Sequence, residues 1–175
     1  GEREDHFQAG FDFTFGWSWY GKLQDVYNGT SVAQLFLNHN QTYAQIPEGK
    51  HRIRFTTNHD ESAWNATPVS IFNGQDGALA AFATTLFTGG APLIYGSQEV
   101  GTENTVPFFS QSSIAWNNNP NVLSMYRELM EIYGNFSCSR TGENTIYNHP
   151  DIACFTKASA TEELLLIVTS RDRSI

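Results

Sequence analysis

Apolar and polar positions alternate with two different periods along this chain, and the switches between them mark out its elements. Phe11, Phe13, Phe15 and Trp17 recur at every second position, the pattern of a half-buried strand over Phe11 to Trp17. Ser18 can then cap a helix whose apolar positions Trp19, Leu23 and Val26 keep helical spacing until Gly29. Ser31 caps a second helix, with Val32, Leu35, Phe36 and Tyr43 on one face and Pro47 beyond its end. Next comes the strand-like run His51 to Thr57. Asp76 caps a third helix through Leu79, Ala80, Ala83, Leu86 and Phe87, closed by Gly89, and Ala91 to Tyr95 follows as a fully apolar strand. Asn119-Pro120 opens a last amphipathic helix with Leu123, Tyr126, Leu129, Met130 and Tyr133 inward and Gly134 as its stop.

After that helix the character changes. Ile146 to Lys157 and Leu164 to Thr169 read as two strands joined by a polar turn with no helix between them. Three strand-helix units followed by hairpin-like β structure suggest part of a barrel joined to a separate β domain. A complete barrel needs roughly 250 residues, and this chain has 175. Either the fold is smaller, or the chain is a piece whose ends are cuts in a longer protein. A lone hairpin is unstable, and a part-barrel leaves strand edges uncovered. Such a piece is expected to form a homodimer or to pair with its missing half.

The chemistry gathers at Asn58-His59-Asp60, where the run from His51 stops. Barrel enzymes line their active-site mouth with residues just past the C-terminal ends of the strands. On the residues alone, Asp60 fits a catalytic carboxylate as well as it fits a helix cap or an ion pair with Arg52 or Arg54. A single histidine such as His59 more often satisfies a loop than performs catalysis. Trp64 and Trp116 fit packing residues or platforms on which a sugar ring stacks, and only Trp64, in the loop beside the motif, tilts toward the second. Gly96-Ser-Gln-Glu99 is a second polar cluster at a strand end. His51, His59 and Asp60 lack the paired spacing of a metal site.

Composition narrows the classes. The net charge of −8 comes from scattered carboxylates with no basic stripe, which excludes a nucleic-acid-binding surface of the usual kind. Gly77 to Ser97 is uncharged and about long enough to span a bilayer, but Gly89, Gly90 and Pro92 break it, so a buried helix and strand fit better. Cys138 and Cys154 could pair or stay free. Sequons at Asn28, Asn40, Asn65 and Asn135 are what an asparagine-rich chain contains by chance, and a glycan on Asn65 would crowd Asp60.

Taken in order, three segments resemble the α-amylase family of glycoside hydrolases, in particular its maltodextrin- and cyclomaltodextrin-cleaving members. Ala9-Gly-Phe-Asp12 resembles the segment after the family's fifth barrel strand. Arg54-Phe-Thr-Thr-Asn-His-Asp-Glu61 resembles the motif after strand seven, and Gly90-Ala-Pro-Leu-Ile-Tyr-Gly-Ser-Gln-Glu99 resembles strand eight. The closing helix and β hairpin resemble the family's eighth helix and the start of its C-terminal β domain. The resemblance implies the C-terminal portion of a (β/α)₈ barrel over residues 1–135, followed by the start of an all-β sandwich domain over 136–175. It also implies retaining hydrolysis of α-glucosidic bonds in an α-glucan oligosaccharide. Asp60 would be the carboxylate that stabilises the oxocarbenium-like transition state, with His59, Asn58 and Trp64 binding substrate and Glu99 structural.

The same resemblance puts the nucleophile upstream of Gly1, without a candidate in this chain. The acid falls at or just ahead of Gly1, which makes Glu2 the nearest candidate. A chain lacking that pair is expected to be inactive alone. No cofactor is expected in this chain, and calcium ligands of the parent would lie largely upstream. A secreted or periplasmic protein is the expectation. The competing class is a non-catalytic amylase-like binding or scaffold domain, which would have no need of a sugar-binding carboxylate at position 60.

Overall fold

The computed structural model describes residues 2–170. A short helix α1 (Asp5–Gln8) leads into strand β1 (Phe13–Phe15), and helices α2 (Trp17–Tyr27) and α3 (Val32–Tyr43) carry the chain to β2 (His51–Arg54). Three helices follow: α4 (His59–Trp64), α5 (Pro68–Ile71) and α6 (Gln75–Thr88). Strand β3 (Ala91–Pro92), a 3₁₀ turn (Gln98–Val100), α7 (Pro120–Asn135) and α8 (Cys138–Thr141) precede β4 (Glu143–Ile146), β5 (Ile152–Ala158) and β6 (Glu163–Thr169). β1, β2 and β3 form a parallel sheet in that order, and β4, β5 and β6 form an antiparallel one. Helical crossovers between parallel neighbours are the mark of an α/β fold.

The core lies between the parallel sheet and its helices and continues into the antiparallel sheet. α6 is apolar nearly all round and is buried accordingly, with Phe82 stacked on Tyr126 of α7 at 4.4 Å between ring centroids. Phe36 of α3 meets Phe155 of β5 edge-on at 5.5 Å, and Val32 donates its amide to the Pro150 carbonyl at 2.9 Å. One continuous apolar cluster therefore includes residues of both sheets.

Arg52 and Arg54 alternate with Ile53 on β2, and both are buried. Arg52 bonds Thr14 and Glu4 and lies 3.7 Å from Glu2. Arg54 lies over the rings of Trp19 at 4.6 Å and Tyr43 at 5.5 Å. Gly90, with φ of +99°, lets β3 approach this strand: a Cβ there would sit 2.5 Å from the Arg52 carbonyl oxygen.

Several local expectations are corrected. The first strand covers only Phe13–Phe15. Helix α2 begins at Trp17 with Gly16 as its N-cap, and the Ser18 hydroxyl donates to Glu2 instead of capping. Gly74 occupies the N-cap of α6, with Asp76 in its first turn. β3 covers only Ala91–Pro92, and its pairing with β2 closes with the Leu93 amide donating to the Arg54 carbonyl at 2.8 Å. Ile146 to Lys157 is two strands, because Pro150 lies in the loop between β4 and β5. The result is a three-stranded sheet rather than a lone hairpin. Cys138 and Cys154 are free thiols.

Candidate active site

Asn58 is the N-cap of α4. Its extended backbone, φ −150° and ψ −173°, turns its side-chain oxygen back to accept hydrogen bonds from the amides of Asp60 at 2.9 Å and Glu61 at 3.0 Å. Asn58 is buried, with its side-chain oxygen serving as the cap and its Nδ2 without a hydrogen-bond partner. His59 and Asp60 stand outside that cap with half-exposed side chains, His59 Nε2 lying 3.5 Å from Asp60 Oδ1. Neither Arg52 nor Arg54 pairs with Asp60, since their contacts lie with Thr14, Glu4, Trp19, His39 and Tyr43.

Glu61, the next residue, points elsewhere. Its carboxylate accepts from the Tyr20 hydroxyl at 2.9 Å and the Asn65 amide nitrogen at 2.8 Å, tying α4 to α2. Burial, and then the Glu61 charge, hold the Tyr20 hydroxyl protonated well above the usual phenol range. With its cap and its Glu61 side both fastened, α4 holds Asp60 in a fixed place. Sequence reasoning missed this pairing, although Glu61 follows Asp60 directly and so must lie on another face of the helix.

Beside the motif, the loop after the 3₁₀ turn folds back, and Val106 donates its amide to the Ser62 carbonyl at 3.1 Å. This brings Phe108 to 5.7 Å from the His59 ring and 6.2 Å from Trp64, while Phe109 lies 6.0 Å from Trp64. Trp64 is 67% and Phe109 85% exposed, too open for core residues. Trp64, expected in a loop, is the last residue of α4, and Phe108 and Phe109 lie too far away in sequence to be connected with it.

Glu2 lies near the start of α2. One carboxylate oxygen accepts from the Ser18 amide at 2.6 Å and the other from the Ser18 hydroxyl at 2.8 Å. Gln98 closes the opposite side of the strand ends: its side chain accepts from the Tyr95 amide and donates to Thr56 Oγ1 and Tyr126 Oη, each at 3.3 Å. Just before it, Ser97 adopts a left-handed conformation, φ +88°. Among the described residues no group of three or more His, Cys, Asp or Glu side chains could hold a metal ion, and no helix is long and apolar enough to cross a membrane.

No protein-family model matches the sequence, and no curated protein matches it. Solved structures do match the fold. A maltogenic α-amylase from Thermotoga neapolitana superposes with a TM-score of 0.83 at 20% identity, over 97% of this chain and 40% of that one. Cyclic alpha-maltosyl-(1→6)-maltose hydrolase from Arthrobacter globiformis gives 0.77 at 21% identity, over 90% of this chain and 37% of that one. An α-amylase from H. orenii gives 0.77 at 17% identity, over 97% and 41%. The chain thus spans about two fifths of the length of these enzymes, and over that span its fold is that of the α-amylase family glycoside hydrolases.

Proposed function

We propose that this chain supplies one part of an α-glucan hydrolase site, with Asp60 stabilising the positive charge of an oxocarbenium-like transition state in retaining cleavage of α-glucosidic bonds. The observation that carries this reading is the isolation of Asp60: its backbone amide is fixed by Asn58, while its half-exposed carboxylate touches only His59 among the contacts above. His59 and Trp64, extended by Phe108 and Phe109, give the apolar and polar edges that a glucose ring offers. Maltose binding by the Arthrobacter globiformis hydrolase, solved in complex with it, supports an α-glucan as the ligand class.

In this reading residues 1–135 belong to the barrel and 136–175 to a β domain, and the protein works outside the cytoplasm. Glu2 is the candidate acid. The chain by itself does not turn over maltodextrin, because retaining cleavage needs a nucleophile and an acid about 5 Å apart and no residue of this chain is assigned as nucleophile. Phe11 and Phe13, 61% and 46% exposed, give a face through which it pairs with the rest of a barrel or with a second copy.

The test is Asp60→Asn in the native protein, assayed on maltodextrin. Removal of one preorganised charge stabiliser lowers kcat about 10²- to 10³-fold. Unchanged kcat with an intact fold would remove Asp60 from the mechanism.

A further inference from the structure

At the N-terminal ends of β2 and β3, the end opposite Asp60, a cleft of about 820 Å³ opens between α3, the head of β3 and the β4–β5 ladder. Lys157 of β5 lies in its wall and is 98% buried by residue area, being 2% exposed. Its backbone is paired in the ladders, but its ammonium makes no side-chain hydrogen bond or ion pair among the described residues. Directly across the ladder from it is Asn144, whose amide nitrogen donates to the Thr88 carbonyl at 2.6 Å and lies 3.4 Å from His39 Nε2. On the far side of the His39 ring, Nδ1 lies 3.3 Å from Arg54 Nη2. Arg54 is also buried with no carboxylate at hydrogen-bond distance, its charge being favoured by Tyr43 and by Glu2 at longer range, and its Nε and Nη1 have no hydrogen-bond partner. The Tyr43 hydroxyl, at the same wall, is buried and unpartnered too.

Two buried cations thus flank one cleft with no counter-charge at hydrogen-bond distance. The contrast within β2 is direct, because Arg52, two residues away, has both Glu2 and Glu4. The other charged groups of the wall do not neutralise the pair. Glu48 is exposed, and Arg140 is turned toward the carbonyls of Tyr133 and Gly134. Cations withdrawn from water without a bound counter-charge are costly, so this pair points to a ligand that supplies negative charge.

We infer that this cleft is a binding site for a small oxyanion of the phosphate or sulfate kind, held by Lys157 Nζ and the Tyr43 hydroxyl, with Arg54 adding positive potential from behind His39. Gly89 and Gly90 line the cleft without side chains and leave room for such an ion. The state of the neighbouring groups agrees. Burial pushes Lys157 down to about 8, opposed by the nearby Cys138 thiol, and holds His39 neutral, pushed down to about 3 with Arg54 and Lys157 contributing. A bound anion would restore Lys157 to full charge. Bridging α3 to β5, it would also fasten the antiparallel sheet to the parallel one.

The test is thermal unfolding of the purified protein titrated with inorganic phosphate, against sodium chloride at matched ionic strength and against acetate. The expected result is a saturable rise in unfolding temperature with phosphate, absent in Lys157→Met and shifted at least fivefold to higher concentration in Tyr43→Phe. Lys157→Met should also be the more stable protein in anion-free buffer, since the uncompensated charge is gone. A saturable response to acetate but not to phosphate would replace the free oxyanion with a carboxylate, and so overturn the assignment. Equal, unsaturable responses in all variants would mean a general salt effect and would overturn it as well. Should Lys157→Met fail to fold, the acetylation rate of Lys157 in the wild-type protein decides: phosphate should slow it at least fivefold, and an unaffected rate refutes the site.

Discussion

The Tyr20 hydroxyl donates a 2.9 Å hydrogen bond to the Glu61 carboxylate, fastening the helix that bears Asp60 to the helix after the first strand. Tyr20→Phe keeps the ring packing on Phe55 and removes only that bond. A hydrogen bond to a charged group is worth about 1.5–3 kcal/mol, so chemical denaturation should show a loss of that order with an unchanged m-value. A loose α4 would also lower kcat in the native protein more than it raises KM.

Trp64, Phe108 and Phe109 form an exposed aromatic cluster beside His59. Aromatic pairing contributes roughly 1 kcal/mol per contact, about a fivefold change in affinity. Trp64→Ala and Phe109→Ala should each raise KM for maltodextrin by about that factor while leaving kcat nearly unchanged, the mark of uniform binding. Steady-state kinetics showing a fall in kcat alone would rule out the platform.

Glu2 holds the first turn of α2 through Ser18. As the acid, its replacement by Gln should slow maltodextrin hydrolysis about 10²- to 10⁴-fold, with a much smaller loss on a nitrophenyl maltoside, whose leaving group needs little protonation. Equal losses on both substrates, accompanied by lowered stability, would identify Glu2 as a cap only.

His39 titrates at about 3 in the fold, depressed by burial and by Arg54 and Lys157, against about 6.5 unfolded. The folded state therefore favours neutral His39. Its contribution is complete above the unfolded value and is lost as pH falls from about 6.5 toward 3. Unfolding free energy measured between pH 7 and 4 should fall more steeply for the wild type than for His39→Gln, whose side chain carries no proton-dependent charge.

The longer helices were the most legible part of the sequence. α3 and α7 bury one face, so the period of 3.6 survives in Val32, Leu35 and Phe36 and in Tyr126, Leu129 and Met130. α6 shows as an apolar run, whereas the short α4 reads as a loop. The parallel strands were harder to bound. β3 is two residues long, and its limit is set by how far it pairs with β2, which leaves no period in the sequence. At the candidate site, the place of Asp60 past a strand end could be read from order alone. The division of labour among neighbours could not: Asn58 spends its side chain on a cap, Glu61 reaches Tyr20, and Phe108 comes from about fifty positions away through a backbone bond between Val106 and Ser62. Those assignments depend on which way each side chain leaves its backbone.

Gly90 acts as a spacer gauge for the parallel sheet. A methyl group at this position would have to occupy space 2.5 Å from the Arg52 carbonyl and 2.9 Å from the Arg54 side chain, so even alanine would wedge β3 away from β2. The separation of these strands sets how far the polar cluster after β3 stands from Asp60 after β2. Among random substitutions in this chain, Gly90 should be one of the least tolerant positions, although it carries no side chain and lies at the opposite end of the strands from the candidate chemistry.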